Sequence, residues 1–122
     1  MRILVVDDDT GTLNALKAYL ASAGHEAVVA KDGYQALSAI RASTDRAESI
    51  DLLVTDLKMP GIDGLELIRA AKNERPGLPI ILMTAYGDES VRREVDGLGS
   101  CGYLDKPFSP EKLLKEIEAL RL

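Results

Sequence analysis

At 122 residues the chain has the length of one domain, enough to bury roughly two-thirds of its unfolded surface. With 46% hydrophobic and 29% charged residues it is neither disordered nor membrane-spanning, and no apolar run approaches the roughly 20 residues that cross a bilayer. The net charge of −5, with Lys and Arg dispersed, argues against direct binding of nucleic acid. A single cysteine, Cys101, excludes an internal disulfide and agrees with a reducing compartment. The first nine residues turn acidic too soon for a secretory signal, so a cytoplasmic location is expected.

The β-branched and aliphatic run at 2–6 predicts a strand ending in Asp7-Asp8-Asp9. Leu13, Leu16, Tyr19 and Leu20 then recur at helical spacing, predicting a helix over 11–23, with Asp9 or Thr10 as its cap and Gly24 as its stop. Residues 26–30 read as a second strand, 34–42 as a second helix, and 43–50 as a polar loop or frayed helix end. The third strand, 51–55, is apolar at 52–54, as suits a strand covered on both faces, and delivers Asp56 into a turn broken by Pro60, Gly61 and Gly64. A helix over 64–73 is followed by the apolar strand 80–83, which delivers Thr84. A weaker, more polar helix over 88–97 uses Val91, Val95 and Leu98 as apolar contacts. The fifth strand, 101–104, delivers Asp105-Lys106-Pro107. Ser109 caps a last helix with Pro110 in its first turn and Leu113, Leu114, Ile117 and Leu120 facing the core.

Strand–helix alternation repeated five times implies an α/β three-layer sandwich around a parallel sheet. The flavodoxin-like (βα)5 order 2-1-3-4-5 fits five strands, with its switch point between the strands that end at Asp7-Asp8 and at Asp56. One sheet edge then carries Asp7, Asp8, Asp56, Thr84 and Lys106, with Thr84 opposite Asp56. Two carboxylates about 4 Å apart repel by about 4 kcal/mol at an effective dielectric near 20. Such a cluster needs a raised pKa, a bound cation, or both. Carboxylate oxygens with room for water suit Mg²⁺. Cation, lysine and hydroxyl could hold the three oxygens of a phosphoryl group, leaving Asp56 as an in-line nucleophile.

Four segments at these strand ends carry a family resemblance: Val5-Val6-Asp7-Asp8, the run from Val54 to Gly64, Met83-Thr84-Ala85, and Tyr103-Leu104-Asp105-Lys106-Pro107-Phe108. The chain resembles, over its full length (1–122), the receiver domain of two-component response regulators. It is chemotaxis-regulator-like, and the wording around Asp56 and Lys106 is similar to receivers of sigma-54-dependent activators. The resemblance implies Asp56 as phosphoacceptor, Asp8 as a direct Mg²⁺ ligand, Asp7 as one acting mainly through water, and the Lys58 backbone carbonyl as a further ligand. It implies that Lys106 contacts the phosphoryl group, that Thr84 bonds to it in the active state, and that Tyr103 is an aromatic switch. The Lys106–Pro107 peptide is expected to be cis. The implied partners are a sensor histidine kinase or phosphotransfer protein and an output domain or target met through the fourth helix, fifth strand and fifth helix. Phosphorylation could also bring a homodimer; neither membrane nor nucleic acid is an expected partner. Lys58 and Tyr86 stand at the positions that screen attacking water, which implies slow self-dephosphorylation. Gly99-Ser100 and the long 43–50 loop depart from the usual pattern, away from the site.

Plainer roles exist for each residue. Asp9 reads as a helix cap, Asp63 and Asp105 as turn residues, Tyr103 as half-buried packing, Cys101 as a small core residue, and His25 as neither ligand nor base. A haloacid-dehalogenase-type phosphatase also uses an Asp nucleophile and Mg²⁺, but its second acid would fall at Lys58, and the chain lacks room for a cap domain. Flavin binding on the same fold is faintly suggested by Thr10-Gly11, but Leu13 replaces the expected hydroxyl and three aspartates would repel a phosphate. The expected product is therefore a changed surface, and the chain is read as a signalling switch rather than a turnover enzyme.

Overall fold

A computed structural model describes residues 1–42, 49–85, 89–98 and 101–120. Most of the polar loop, together with Tyr86 and Gly99-Ser100, lies outside the described residues. The elements run β1 (Arg2–Val6), α1 (Thr10–Ser22), β2 (Glu26–Ala30), α2 (Gly33–Ala42), β3 (Leu52–Asp56), α3 (Gly64–Glu74), β4 (Ile80–Thr84), α4 (Glu89–Asp96), β5 (Cys101–Asp105) and α5 (Pro110–Ala119). All strand pairs are parallel, in the order β2-β1-β3-β4-β5.

The apolar runs predicted this ordering of burial. All five residues of β3 and of β4 are buried, because these strands have neighbours on both sides and helices on both faces. The edge strand β2 is covered less completely, leaving Glu26 and Val29 exposed. Alternate strand residues feed two apolar clusters. Ile3, Val5, Leu52, Val54, Ile81 and Met83 meet α1 and α5. Leu4, Val6, Leu53, Ile80 and Leu82 meet α2, α3 and α4. The layers are therefore two helices, five strands and three helices.

Local signals set most helix starts. The Asp9 carboxylate accepts the Thr12 amide at 3.1 Å and so caps α1. Asp63 and Glu66 form a reciprocal capping box at α3. Ser109 caps α5, with Pro110 at its start. The helix α4 is anchored differently: only Val95 is fully buried, while Val91 and Leu98 pack half-buried on the same cluster. An ion pair between Arg69 of α3 and Glu94 of α4 adds a tie at the surface.

One boundary and one register differ from the sequence reading in a way that matters. Asp56 is the last residue of β3 rather than the first of the turn, because its neighbour Leu57 still donates to the Met83 carbonyl, at 3.0 Å, and holds the backbone extended. The registered partner of Asp56 is Met83, so Thr84 stands one residue beyond it rather than opposite. The offset follows from β4 entering the sheet at Ile80 against Leu53.

Candidate phosphoacceptor site

Parallel strands place all their carboxyl ends on one edge, so β1, β3, β4 and β5 bring distant residues together there. Asp7 follows β1 and is 1% exposed; its neighbour Asp8 turns outward to solvent. Asp56, at the end of β3, is also buried. Carboxylate oxygens of Asp7, Asp8 and Asp56 all lie within 4.8 Å of one another. Thr84, 1% exposed, ends β4.

Lys106 crosses to this edge from the turn after β5. Its backbone amide donates to the Thr84 carbonyl at 2.9 Å, which extends the β4–β5 pairing by one step and aims the side chain inward. The Lys106–Pro107 peptide is cis. The Lys106 ammonium lies 2.8 Å from Asp7 Oδ2 and 3.2 Å from Asp56 Oδ2. The other Asp7 oxygen accepts the Asp9 amide at 2.9 Å. Both Asp7 oxygens are therefore engaged by the protein, while Asp8 faces water.

Burial pushes the Asp56 carboxyl above the ordinary carboxylate range; the Lys106 charge opposes this and the Asp7 charge adds to it. Partial burial works to lower the Lys106 pKa, but the hydrogen bond to Asp7 and the charges of Asp56 and Asp7 outweigh it, holding the ammonium above its usual range. Asp9 is held below the carboxylate range by the Thr12 hydroxyl and amide, which fits a cap and not a member of the cluster.

The donor set is all oxygen, with one exposed carboxylate and one ammonium that can withdraw. Oxygens around one octahedral Mg²⁺ at about 2.1 Å stand about 3.0–4.2 Å apart. The spacing of the three carboxylates therefore fits a small hard cation after slight contraction. Three like charges with a single lysine to balance them make a site in which such a cation relieves repulsion.

Tyr103 is half-buried on β5, packed against the cluster under α4. Its hydroxyl donates to the Val91 carbonyl of α4 at 3.0 Å, and the Arg92 guanidinium sits 5.0 Å from its ring centroid. Arg92 also reaches Asp105 at 3.7 Å. The side chain of Lys58 is exposed. Arg92 escaped the sequence reading: the sequence of a polar helix does not say which of its charges will lie over a strand-5 ring. Asp63 and Asp105 stay out of the carboxylate cluster, as helix cap and surface ion-pair partner.

Comparison with known proteins agrees with this geometry. The family model described as "Response regulator receiver domain" matches residues 3–118. The chain is 43% identical over 122 residues to the response regulator MprA of Mycobacterium avium, covering 98% of this chain and 50% of that protein. It is 42% identical to MprA of Mycobacterium leprae with the same coverage. The chain thus spans about half the length of the curated relatives it matches. Among solved structures, the chemotaxis protein CheY4 of Vibrio cholerae superposes with a TM-score of 0.86 at 30% identity, covering 98% of each chain. A CheY-like receiver domain protein from Methanospirillum hungatei gives 0.88 at 34% identity, covering 98% of this chain and 92% of that one. With the fold, the four strand ends and the family match in agreement, the chain belongs to the response regulator receiver domains of two-component signalling.

Proposed function

We propose that the 122 residues form one cytoplasmic receiver domain in which Asp56 accepts a phosphoryl group from a histidine kinase or phosphotransfer protein. The observation that carries this reading is the Lys106 ammonium bridging Asp7 and Asp56 at the open edge of the sheet. An ammonium already seated between carboxylates needs only a small displacement to meet a phosphoryl oxygen.

In the transfer, an Asp56 carboxylate oxygen attacks phosphorus in line, the P–N bond of the donor phosphohistidine breaks, and the imidazole leaves with the bonding pair. Asp8 would hold Mg²⁺ directly, Asp7 mainly through water, and Asp56 and the Lys58 carbonyl would complete the protein ligands. When bound, Mg²⁺ supplies positive charge against the developing phosphoryl charge. Lys106 supplies a second cation, and the Thr84 hydroxyl donates to the phosphoryl group in the active state.

The output is a change of surface. Movement of Thr84 toward the phosphoryl group opens space for Tyr103, whose hydroxyl is bonded to α4. That exchange biases a two-state equilibrium of the face formed by α4, β5 and α5. An output domain or target protein reads that face, and a homodimer on phosphorylation is one form the reading could take. The shallow anchoring of α4 supports this, since elements that move are drawn from the less stable end of a fold. Exposed Lys58 cannot orient an attacking water as a carboxylate or amide would, so slow self-dephosphorylation is expected. A phosphoryl lifetime of seconds in Mg²⁺ would contradict it.

The test is intact-mass analysis after incubation with acetyl phosphate and Mg²⁺. Wild type gains the mass of one phosphoryl group and Asp56→Asn gains none. Equal gain by the two, or no gain by wild type, rejects the assignment.

A further inference from the structure

Arg92 lies on the side of α4 that faces β5, and none of the expected roles uses it. Its guanidinium sits over the Tyr103 ring, 5.0 Å from the centroid, and 3.7 Å from Asp105 Oδ2. Tyr103 and Asp105 are two apart on β5, so their side chains leave the same face of the strand. One cation from the helix therefore spans the expected switch residue and the residue next to Lys106.

The placement follows from the geometry of α4. Successive residues turn by about 100° around a helix, so Arg92, Val95, Val91 and Glu94 follow one another around about half of its circumference. Val95 and Val91 lie in the middle and pack on the core cluster beneath. Glu94 on one flank pairs with Arg69 of α3, and Arg92 on the other flank meets β5. The Tyr103 hydroxyl donates to the Val91 carbonyl at 3.0 Å, so consecutive residues of α4 engage both the hydroxyl and the ring face. These contacts belong to one arrangement of the ring. A ring turned toward the space beside Thr84 leaves both the guanidinium and the Val91 carbonyl. The Lys106 ammonium meanwhile spans Asp7 and Asp56, which marks the arrangement as the resting one.

We propose that Arg92 is a positioning residue for the switch: its guanidinium holds the Tyr103 ring against α4 and so opposes the inward turn. This rests on the reading of Tyr103 as the residue that turns inward on phosphorylation. A contact made in one of two states shifts their ratio by its own strength. A cation over a ring near the surface is worth about two- to fivefold in that ratio. Losing the contact raises, by the same factor, the apparent affinity for any group that favours the turned-in state.

The probe is fluoroberyllate, which forms a tetrahedral phosphoryl mimic on a carboxylate. It is titrated in saturating Mg²⁺ and followed by the ¹⁵N amide shifts of Tyr103 and of Glu89–Asp96. Arg92→Ala should bind it about two- to fivefold tighter than wild type. Mg²⁺ affinity and melting temperature should stay close to wild type, because Arg92 and Asp105 are both at the surface. In a Tyr103→Ala background the same substitution should change nothing. Arg69→Ala, which unties the other flank of α4, should gain less than Arg92→Ala. Unchanged or weaker affinity in Arg92→Ala overturns the proposal, as does an equal gain in the Tyr103→Ala background or in Arg69→Ala. Those results leave Asp56 and Tyr103 in their proposed roles. A wild type that binds fluoroberyllate without shifts at Tyr103 or α4 overturns the switch, and this proposal with it, but not the phosphoacceptor.

Discussion

Asp56 sits under opposed influences: burial and the Asp7 charge raise its pKa, and the Lys106 ammonium lowers it, with burial ahead. The folded protein therefore holds this proton to a higher pH than the unfolded chain does. The contribution of Asp56 to stability is intact below the unfolded carboxylate pKa, about 3.9, and is lost as pH rises through the folded value. Asp56→Asn should accordingly melt at a higher temperature than wild type at neutral pH in the presence of a chelator, with the difference vanishing toward pH 4. A domain of this size gains about 4 °C per kcal/mol. Identical melting curves at pH 7.5 would argue that Asp56 is solvated in solution. Lys106→Met tests the other side of the balance. It removes the cation that occupies Asp7 and Asp56, so the metal-free protein should lose about 1–3 kcal/mol. Mg²⁺, no longer in competition with an ammonium, should bind more tightly by on the order of tenfold. Weaker Mg²⁺ binding in that variant would show that Lys106 organises the carboxylates more than it competes for them.

Among the elements, α4 is the one whose position is set by few interactions. Val95 is its only fully buried residue; Val91 packs half-buried on the same cluster, with Leu98 just beyond the helix, and the Tyr103 hydroxyl on Val91, Arg92 over the Tyr103 ring, and ion pairs at the surface add to the hold. A cation over a ring near the surface is worth about 0.5–1 kcal/mol, and an exposed ion pair about 0–1 kcal/mol. Removing the guanidinium with Arg92→Ala should therefore leave global stability nearly unchanged but speed hydrogen exchange through Glu89–Asp96. Unaltered exchange there would mean that the Arg92 contacts contribute nothing to holding the helix and that its apolar face and the Tyr103–Val91 bond fix it. The strands behave oppositely. β3 and β4 are buried at every residue, so they form a rigid platform against which a loosely held helix can shift.

For the molecule as a whole, Mg²⁺ binding at the three carboxylates, as proposed, would link metal binding to folding. A ligand that binds only the folded state stabilises by about 2.7 kcal/mol at 100 times its dissociation constant. Saturating Mg²⁺ should raise the melting temperature of wild type by about 10 °C, and EDTA should reverse it. The same titration on Asp8→Asn should give a much smaller rise, since Asp8 is the exposed carboxylate of the cluster. Among the described residues no helix is long and apolar enough to cross a membrane. The chain covers about half of the MprA proteins it resembles, and in the proposed scheme the α4–β5–α5 face is what a further domain or a separate target would read.

The fold and the carboxylate cluster were largely legible in the chain because they depend on local and repeating signals. Apolar runs of four or five residues mark buried strands, helical spacing marks the faces of α1, α3 and α5, and Asp9 and Ser109 cap helices through bonds to residues three positions on, whereas Asp63, read as a turn residue, proved to cap α3. Once the strands are parallel, their carboxyl ends must share an edge, and Asp7, Asp8, Asp56, Thr84 and Lys106 arrive there together. Tertiary structure decided what depends on register and on side chains meeting across layers. The one-residue offset that pairs Asp56 with Met83 comes from where β4 enters the sheet. The contacts of Arg92 with Tyr103 and of Tyr34 with Gly61 join surface residues that no periodicity relates. A helix pattern states which face turns inward; which exposed side chain lies against which loop is settled only when the elements dock.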